Sequence, residues 1–131
     1  MATDPATLRR EQAVILSRML LTIMRVTFAA YDHGPNIGAV FSQMLVSWAV
    51  RAQGARQKTP VSISKIARIT GLPRPTIRRC TVQLIKLGTI TKCGTGYVSN
   101  PQWIDTKIKP NAITRASSAT LAAADALRKL R

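Results

Sequence analysis

Apolar residues recur with a helical period in five stretches of this chain, and two short β-prone runs lie between the fourth and the fifth. The first stretch, residues 7–31, is apolar around most of its circumference. Leu8, Ile15, Leu16, Met19, Leu20, Ile23, Met24, Val26 and Phe28 leave one narrow polar stripe, where Glu11, Arg18, Arg25 and Asp32 recur every seven residues. Residues 1–6 are expected to form a tail, with Asp4-Pro5 or Thr7 starting the helix and proline tolerated in its first turn. A helix this apolar has to be covered on several sides, and a chain of 131 residues offers only one of them. The remainder is expected to meet a second copy of the chain, with the central helix of a monomer as the alternative.

Asp32-His33-Gly34-Pro35-Asn36 breaks the pattern by composition. Residues 37–52 then predict a helix with an apolar stripe of Val40, Phe41, Met44, Leu45, Trp48 and Ala49, and residues 53–60 a polar, basic loop. Residues 62–70 predict a short helix: Ser62 suits the N-cap, Ile63, Ile66, Ala67 and Ile69 supply the apolar face, and Gly71 stops it. Leu72 and Pro73 lead tightly into the next helix, residues 73–88, where Pro75 is tolerated in the first turn and Gly88 ends the helix. One face of it carries Ile77, Thr81, Leu84 and Leu87; another carries Arg74, Thr76, Arg78, Arg79 and Gln83. A helix backed by apolar groups and fronted by arginine suits the major groove of DNA.

Residues 89–92 and 97–100 are the β-prone runs, and Cys93-Gly94-Thr95-Gly96 between them signals a hairpin closed by Asn100-Pro101. Residues 102–111 are expected to be an irregular link carrying Trp103 and Ile104. The last stretch, residues 113–131, is an alanine-rich helix with Ala116, Thr120, Ala123, Leu127 and Leu130 on one face, and its Arg128, Lys129 and Arg131 suit the negative end of the helix dipole. It is short of large apolar groups and is expected to pack on residues 14–28 of its own or a partner chain.

Charge narrows the choice of partner. Twenty Lys and Arg face five Asp and Glu, a net charge of +15, which points to a polyanion and to nucleic acid before an anionic membrane. No acid lies between Asp32 and Asp105, a span that holds ten Lys and Arg. The hydrophobic fraction of 46% is enough for a real core. The apolar run of residues 14–30 is interrupted by Arg18 and Arg25 and is too short for a comfortable membrane span. With no signal-peptide pattern in residues 1–12, the protein is expected in the cytoplasm, associated with the nucleoid.

Catalytic chemistry finds little support. One histidine and five scattered acids provide no nucleophile–base set. His33 reads as a loop residue, Trp48 and Trp103 as packing groups, and Gly94-x-Gly96 as a turn rather than a phosphate loop. Cys80 and Cys93 lack metal-ligand spacing; two small buried residues is the better reading, with redox sensing as the alternative. No enzyme activity, cofactor or metal is expected.

Residues 61–100 resemble the winged helix-turn-helix of bacterial transcription regulators. Ser62-Ile63-Ser64-Lys65-Ile66-Ala67 looks like the capped first helix of the motif, and Gly71-Leu72-Pro73 is similar to its Gly-Leu-Ser turn. Arg74, Thr76, Ile77 and Arg79 fall where the family has Arg-x-Thr-Val-x-Arg; Leu84, Leu87-Gly88 and Ile90 match its Leu…Leu-Gly-x-Ile, and Gly94, Gly96 and Tyr97 occupy the wing. Thr81 and Thr89 depart from the usual leucine, and Pro73 and Pro75 replace serines that would cap the helix. The helices before and after the motif resemble the dimerisation helices of the MarR-type branch, which has two helices after the wing where one is expected here.

The fold class expected is therefore mainly α: a single domain with a winged helix-turn-helix at residues 61–100 and scaffold or dimerisation helices at residues 7–53 and 113–131. The resemblance implies a homodimeric, sequence-specific regulator that binds double-stranded DNA, with residues 73–87 in the major groove and the wing on the backbone. The expected DNA contacts are Ser64, Lys65 and Arg68 on the first helix, Pro73, Arg74, Pro75, Thr76, Arg78, Arg79 and Gln83 on the second, and Lys92, Thr95 and Tyr97 at the wing. The alternatives are a weakly specific nucleoid or architectural protein, and a winged-helix module for protein interaction or replication initiation.

Overall fold

The computed structural model describes residues 4–29, 31, 38–108 and 110–130. The composition break at residues 32–36, with His33, lies outside them. Their order is α1 (Pro5–Phe28), α2 (Gly38–Gln57), α3 (Ile63–Thr70), α4 (Arg74–Leu87), β1 (Ile90–Cys93), β2 (Gly96–Ser99), α5 (Pro101–Lys107) and α6 (Pro110–Lys129). This is the mainly helical chain with a two-stranded antiparallel hairpin expected of a winged helix-turn-helix. Contacts divide it into two compact units, residues 1–30 with 108–131 and residues 31–107. The second unit therefore holds α2 as well as the winged segment.

In the first unit α1 packs with α6. Asp4 caps α1 by accepting from the Thr7 N–H at 3.2 Å, and Pro5 follows where a missing N–H costs nothing. Of the expected face at the C-terminal end, Ala116, Ala123, Leu127 and Leu130 are buried or half-buried, and Thr120 alone departs from it. Ala112 and Ala123 are buried and Ala119 is half-buried, whereas Thr120 is exposed and donates back to the Ala116 carbonyl at 2.9 Å. The helical repeat runs through Ala112, Ala116, Ala119, Ala123 and Ala126. Alanine brings little volume to such a face, so of all its apolar residues α1 buries Val26 alone.

The second unit is built on α2, which packs against α3, α4 and β2. Met44, Val46, Ser47 and Val50 of α2, Ile66 of α3, and Ile77 and Leu84 of α4 are fully shielded from solvent. Each aliphatic group buried this completely contributes about 1.5–3 kcal/mol. Here α2 runs five residues beyond the expected end at residue 52 and converts five of the eight residues of the expected loop into helix. Its last turn is held by side chains: Gln53 donates to Gln57 at 2.9 Å, and Gln57 donates to the Thr59 and Pro60 carbonyls, both at 3.1 Å. A Cβ at Gly54 would meet Val61 only at an ordinary contact distance of 3.9 Å.

Ser62 caps α3 through the Lys65 N–H at 3.1 Å, and Gly71 ends it in the left-handed conformation. Ile69, expected on the apolar face of α3, is 47% exposed instead. Pro73 stands at the N-cap of α4 with no side-chain cap, and Gly88 closes the helix at φ +90°. Thr89 N–H reaches back to the Leu84 carbonyl at 3.0 Å, completing a Schellman-type stop.

The wing pairs Ile90 with Ser99 and Cys93 with Gly96 around a two-residue turn, Gly94-Thr95. Val61 adds a third short rung by exchanging both backbone hydrogen bonds with Tyr97, at 2.8 and 2.9 Å. That approach explains Gly96, where a Cβ would come within 2.8 Å of the Pro60 Cβ and 3.0 Å of its backbone carbon. The link expected at residues 102–111 begins instead as a helix, α5. Asn100 accepts from the Gln102 N–H at 3.2 Å and Pro101 takes the first helical position, the usual start of a helix. Trp103 is thereby buried against Tyr31, ring centroids 5.3 Å apart.

Candidate nucleic-acid interface

At 100° per residue, the buried groups of α4, Ile77, Cys80, Thr81 and Leu84, occupy an arc of about 100°. Arg78, Val82, Pro75, Arg79 and Lys86 fall on the opposite arc, flanked by Arg74, Ile85 and Gln83. All eight are exposed. The core thus fixes which way the cationic face points. Cys80 joins the buried face that the sequence assigns to Ile77, Thr81, Leu84 and Leu87, and Leu87 is only half-buried. The polar Thr81 is reconciled with burial by donating to the Arg78 carbonyl at 2.8 Å. Thr89, equally buried, uses its backbone groups but leaves Oγ1 without a partner; nothing in the structure explains it.

The N-terminal turn of α4 offers an anion the positive end of the helix dipole. Pro75 has no N–H, so Arg74 and Thr76 carry the amides of this turn. Thr76, Arg79 and Gln83 come together with Ser42 and Gln43 of α2 around a crevice of about 210 Å³. Arg79 donates to the Thr76 hydroxyl at 3.4 Å, and the Gln83 carbonyl oxygen accepts from the Gln43 amide. A second polar cleft, about 440 Å³, continues from the Gln43–Gln83 pair past Lys86 to Lys107 of α5.

The other expected contacts distribute less evenly. Arg68 is exposed on α3 and Ser64 and Lys65 are half-buried there; Lys92 and Thr95 are exposed on the wing and Pro73 at the start of α4. Tyr97 is the correction. Expected beside the wing as a DNA contact, it is 8% exposed, because its backbone pairs with Val61 and its ring turns to the core. Val82, Ile85, Lys86, Ser42 and Gln43 join the surface without having been expected. For Val82 and Lys86 the sequence held a signal, since each follows Arg78 or Val82 by one helical turn. Gln43 had none, because its approach to Gln83 is a tertiary contact.

The thiols separate. Cys80 is buried and Cys93 exposed, which corrects the expectation of two buried residues. Burial pushes the Cys80 thiol up, against the opposing pull of the Arg79 charge. Among the described residues no cluster of His, Cys, Asp or Glu could hold a metal ion, and no helix is long and apolar enough to cross a membrane.

Residues 55–92 match the family model of the IclR helix-turn-helix domain. The match spans the last turn of α2, all of α3 and α4, and β1 to Lys92. It supports a helix-turn-helix DNA-binding segment of the kind found in bacterial transcription regulators, and it does not single out the MarR-type branch. No curated protein and no solved structure matches the chain significantly.

Proposed function

We propose that the protein is a sequence-specific transcription regulator that binds double-stranded DNA as a homodimer, without enzymatic activity, on the nucleoid in the cytoplasm. One observation carries the reading: the outward face of α4, set opposite the buried arc of Ile77, Cys80, Thr81 and Leu84, is cationic and unpaired. Between residues 33 and 107 the only acid is Asp105, so these charges stay available for phosphate and base edges. An arginine fork pairs with guanine O6 and N7, and Val82 and Ile85, 55% and 40% exposed, suit thymine methyl groups. Arg68 and Lys65 on α3, and Lys92 and Thr95 on the wing, are assigned to the backbone.

The first unit supports the dimer. Val14, Leu16, Leu20 and Leu21 on α1 and Leu121 on α6 are between 40% and 70% exposed, more apolar surface than a two-helix unit leaves to water without a partner. The two helices after the wing, α5 and α6, suit a MarR-type arrangement, and a twofold dimer favours a pseudo-palindromic site with half-sites about one DNA turn apart.

The acid-free surface also favours a second reading, an architectural protein with little sequence preference. The test is a comparison at one fixed salt concentration between a duplex selected from a random pool on the full chain and an unselected duplex. The expected preference is about 10³-fold or more. Replacing Arg78 and Arg79 together by alanine is expected to remove about 2–6 kcal/mol, at about 1–3 kcal/mol for each base pairing lost. Equal affinity for both duplexes selects the architectural reading; full DNA affinity after the double substitution removes α4 from the interface.

A further inference from the structure

Beside the arginine face of α4, the polar cleft of about 440 Å³ is walled by Gln43 of α2, Gln83, Lys86 and Leu87 of α4, and Lys107 of α5. Leu87 is the one apolar residue among the described residues that line it, whereas sites for small organic molecules are mostly apolar. The polar walls are rich in donors. The Gln83 carbonyl oxygen accepts from the Gln43 amide, so what Gln83 has left to offer is its two N–H groups, and each lysine adds an ammonium with three. Lys86 and Lys107 are exposed, and neither has a carboxylate partner: among the described residues the one ion pair is Lys129–Asp125. A surplus of donors and positive charge fits a phosphate group, and lysine serves phosphate as a point charge without the fork that reads a base edge.

The fold fixes Lys107 at this cleft. Trp103 stands one turn before it on the same face of α5, buried against Tyr31 and lying under the Arg51 guanidinium of α2. Lys107 shares the cleft with Gln43, roughly two turns nearer the start of α2, so α5 runs back along that helix and the burial of Trp103 sets the side on which Lys107 emerges. The cleft is also continuous with the arginine face. Gln83 lines both it and the crevice of Thr76 and Arg79, and Lys86 belongs to the outward arc of α4.

We infer that Lys86, Gln83 and Lys107 hold one phosphate of the bound duplex, so that the DNA contact extends past the wing onto α5. The inference rests on the reading that α4 faces DNA, and its test separates the two. Binding of the full chain to the selected duplex is measured over a range of salt concentrations. Lys107→Gln keeps a donor and removes the charge. It is expected to weaken binding and to reduce the steepness of log K against log salt by about 0.9, the loss of one phosphate contact. Preference for the selected over an unselected duplex is expected to stay within about twofold, because a phosphate contact carries no sequence information. Methylphosphonates placed one at a time along each strand then locate the contact: at one position the affinity lost by the unsubstituted chain is expected to vanish in Lys107→Gln. An unchanged salt slope, or the same methylphosphonate profile in both chains, would overturn the inference. If the paired Arg78→Ala and Arg79→Ala substitutions weaken binding while Lys107→Gln does not, the α5 contact alone falls; if neither weakens it, the reading of α4 falls with it. Inorganic phosphate added to the DNA-free chain is expected to show no line broadening in phosphorus NMR that depends on Lys107. Such broadening would overturn the assignment to the DNA backbone and make the cleft a site for a free anion.

Discussion

α1 and α4 both carry apolar faces that call for cover, and they end in opposite situations. Of its 14 residues α4 buries four, held between α2, α3 and β1; of its 24 residues α1 buries Val26 alone. The difference lies in the partners. The elements that pack on α4 bring large, fully buried groups, Met44 on α2 and Ile66 on α3, while α6 offers α1 mostly alanines. The second unit is thus complete in its own packing. The first leaves leucines on its surface, and that surplus is what a second copy of the chain is proposed to cover.

The widest break of this contrast targets α1. Leu20→Glu with Leu21→Glu removes two exposed leucines, at about 1.5–3 kcal/mol each if buried in a dimer, so dimer dissociation constants are expected to rise by roughly a hundredfold to ten-thousandfold. Sedimentation velocity should show a monomer whose second unit retains its thermal transition; an unchanged dimer would show that these leucines are not its interface. The opposite outcome is expected in α4. Leu84→Ala opens a cavity in the closed core of the second unit and is expected to lower stability by about 2–5 kcal/mol in urea denaturation, with dimer sedimentation kept under native conditions. A smaller effect sharpens the picture of how that unit is tied together. Asn100 donates to the Gly88 carbonyl at 2.9 Å and accepts from the Gln102 N–H, joining the end of α4 to the start of α5. Asn100→Ala is expected to cost about 1–3 kcal/mol, with Trp103 emission shifting to the red as α5 loosens.

Much of the winged segment was legible because its determinants are local. Ser62, Gly71 and Gly88 mark helix ends through their own backbone chemistry, and the spacing of Ile77 and Leu84 states a face directly. The two threonines show where that ends. Thr81 violates the apolar pattern, and only in the folded chain does its hydroxyl donate to the Arg78 carbonyl, a bond that lets it replace an apolar group. Residues 102–107 read as irregular because the seven residues of α5 carry little periodicity; Asn100 and the burial of Trp103 make them a helix. On α6 the expected face holds except at Thr120, because in an alanine-rich helix neighbouring faces look alike.

For the candidate interface, residue type and helical spacing suffice for the charge, its lack of acidic partners and the two arginine-bearing helices. Packing between distant segments sets which arc of α4 faces outward, places Val82 and Ile85 among the arginines, turns Tyr97 inward and brings Gln43 to Gln83. It also shapes the polar cleft of Gln83, Lys86 and Lys107, whose walls come from α2, α4 and α5. Composition and periodicity act through near neighbours in the chain, whereas a cavity and an outward face exist only once distant segments exclude water from one another.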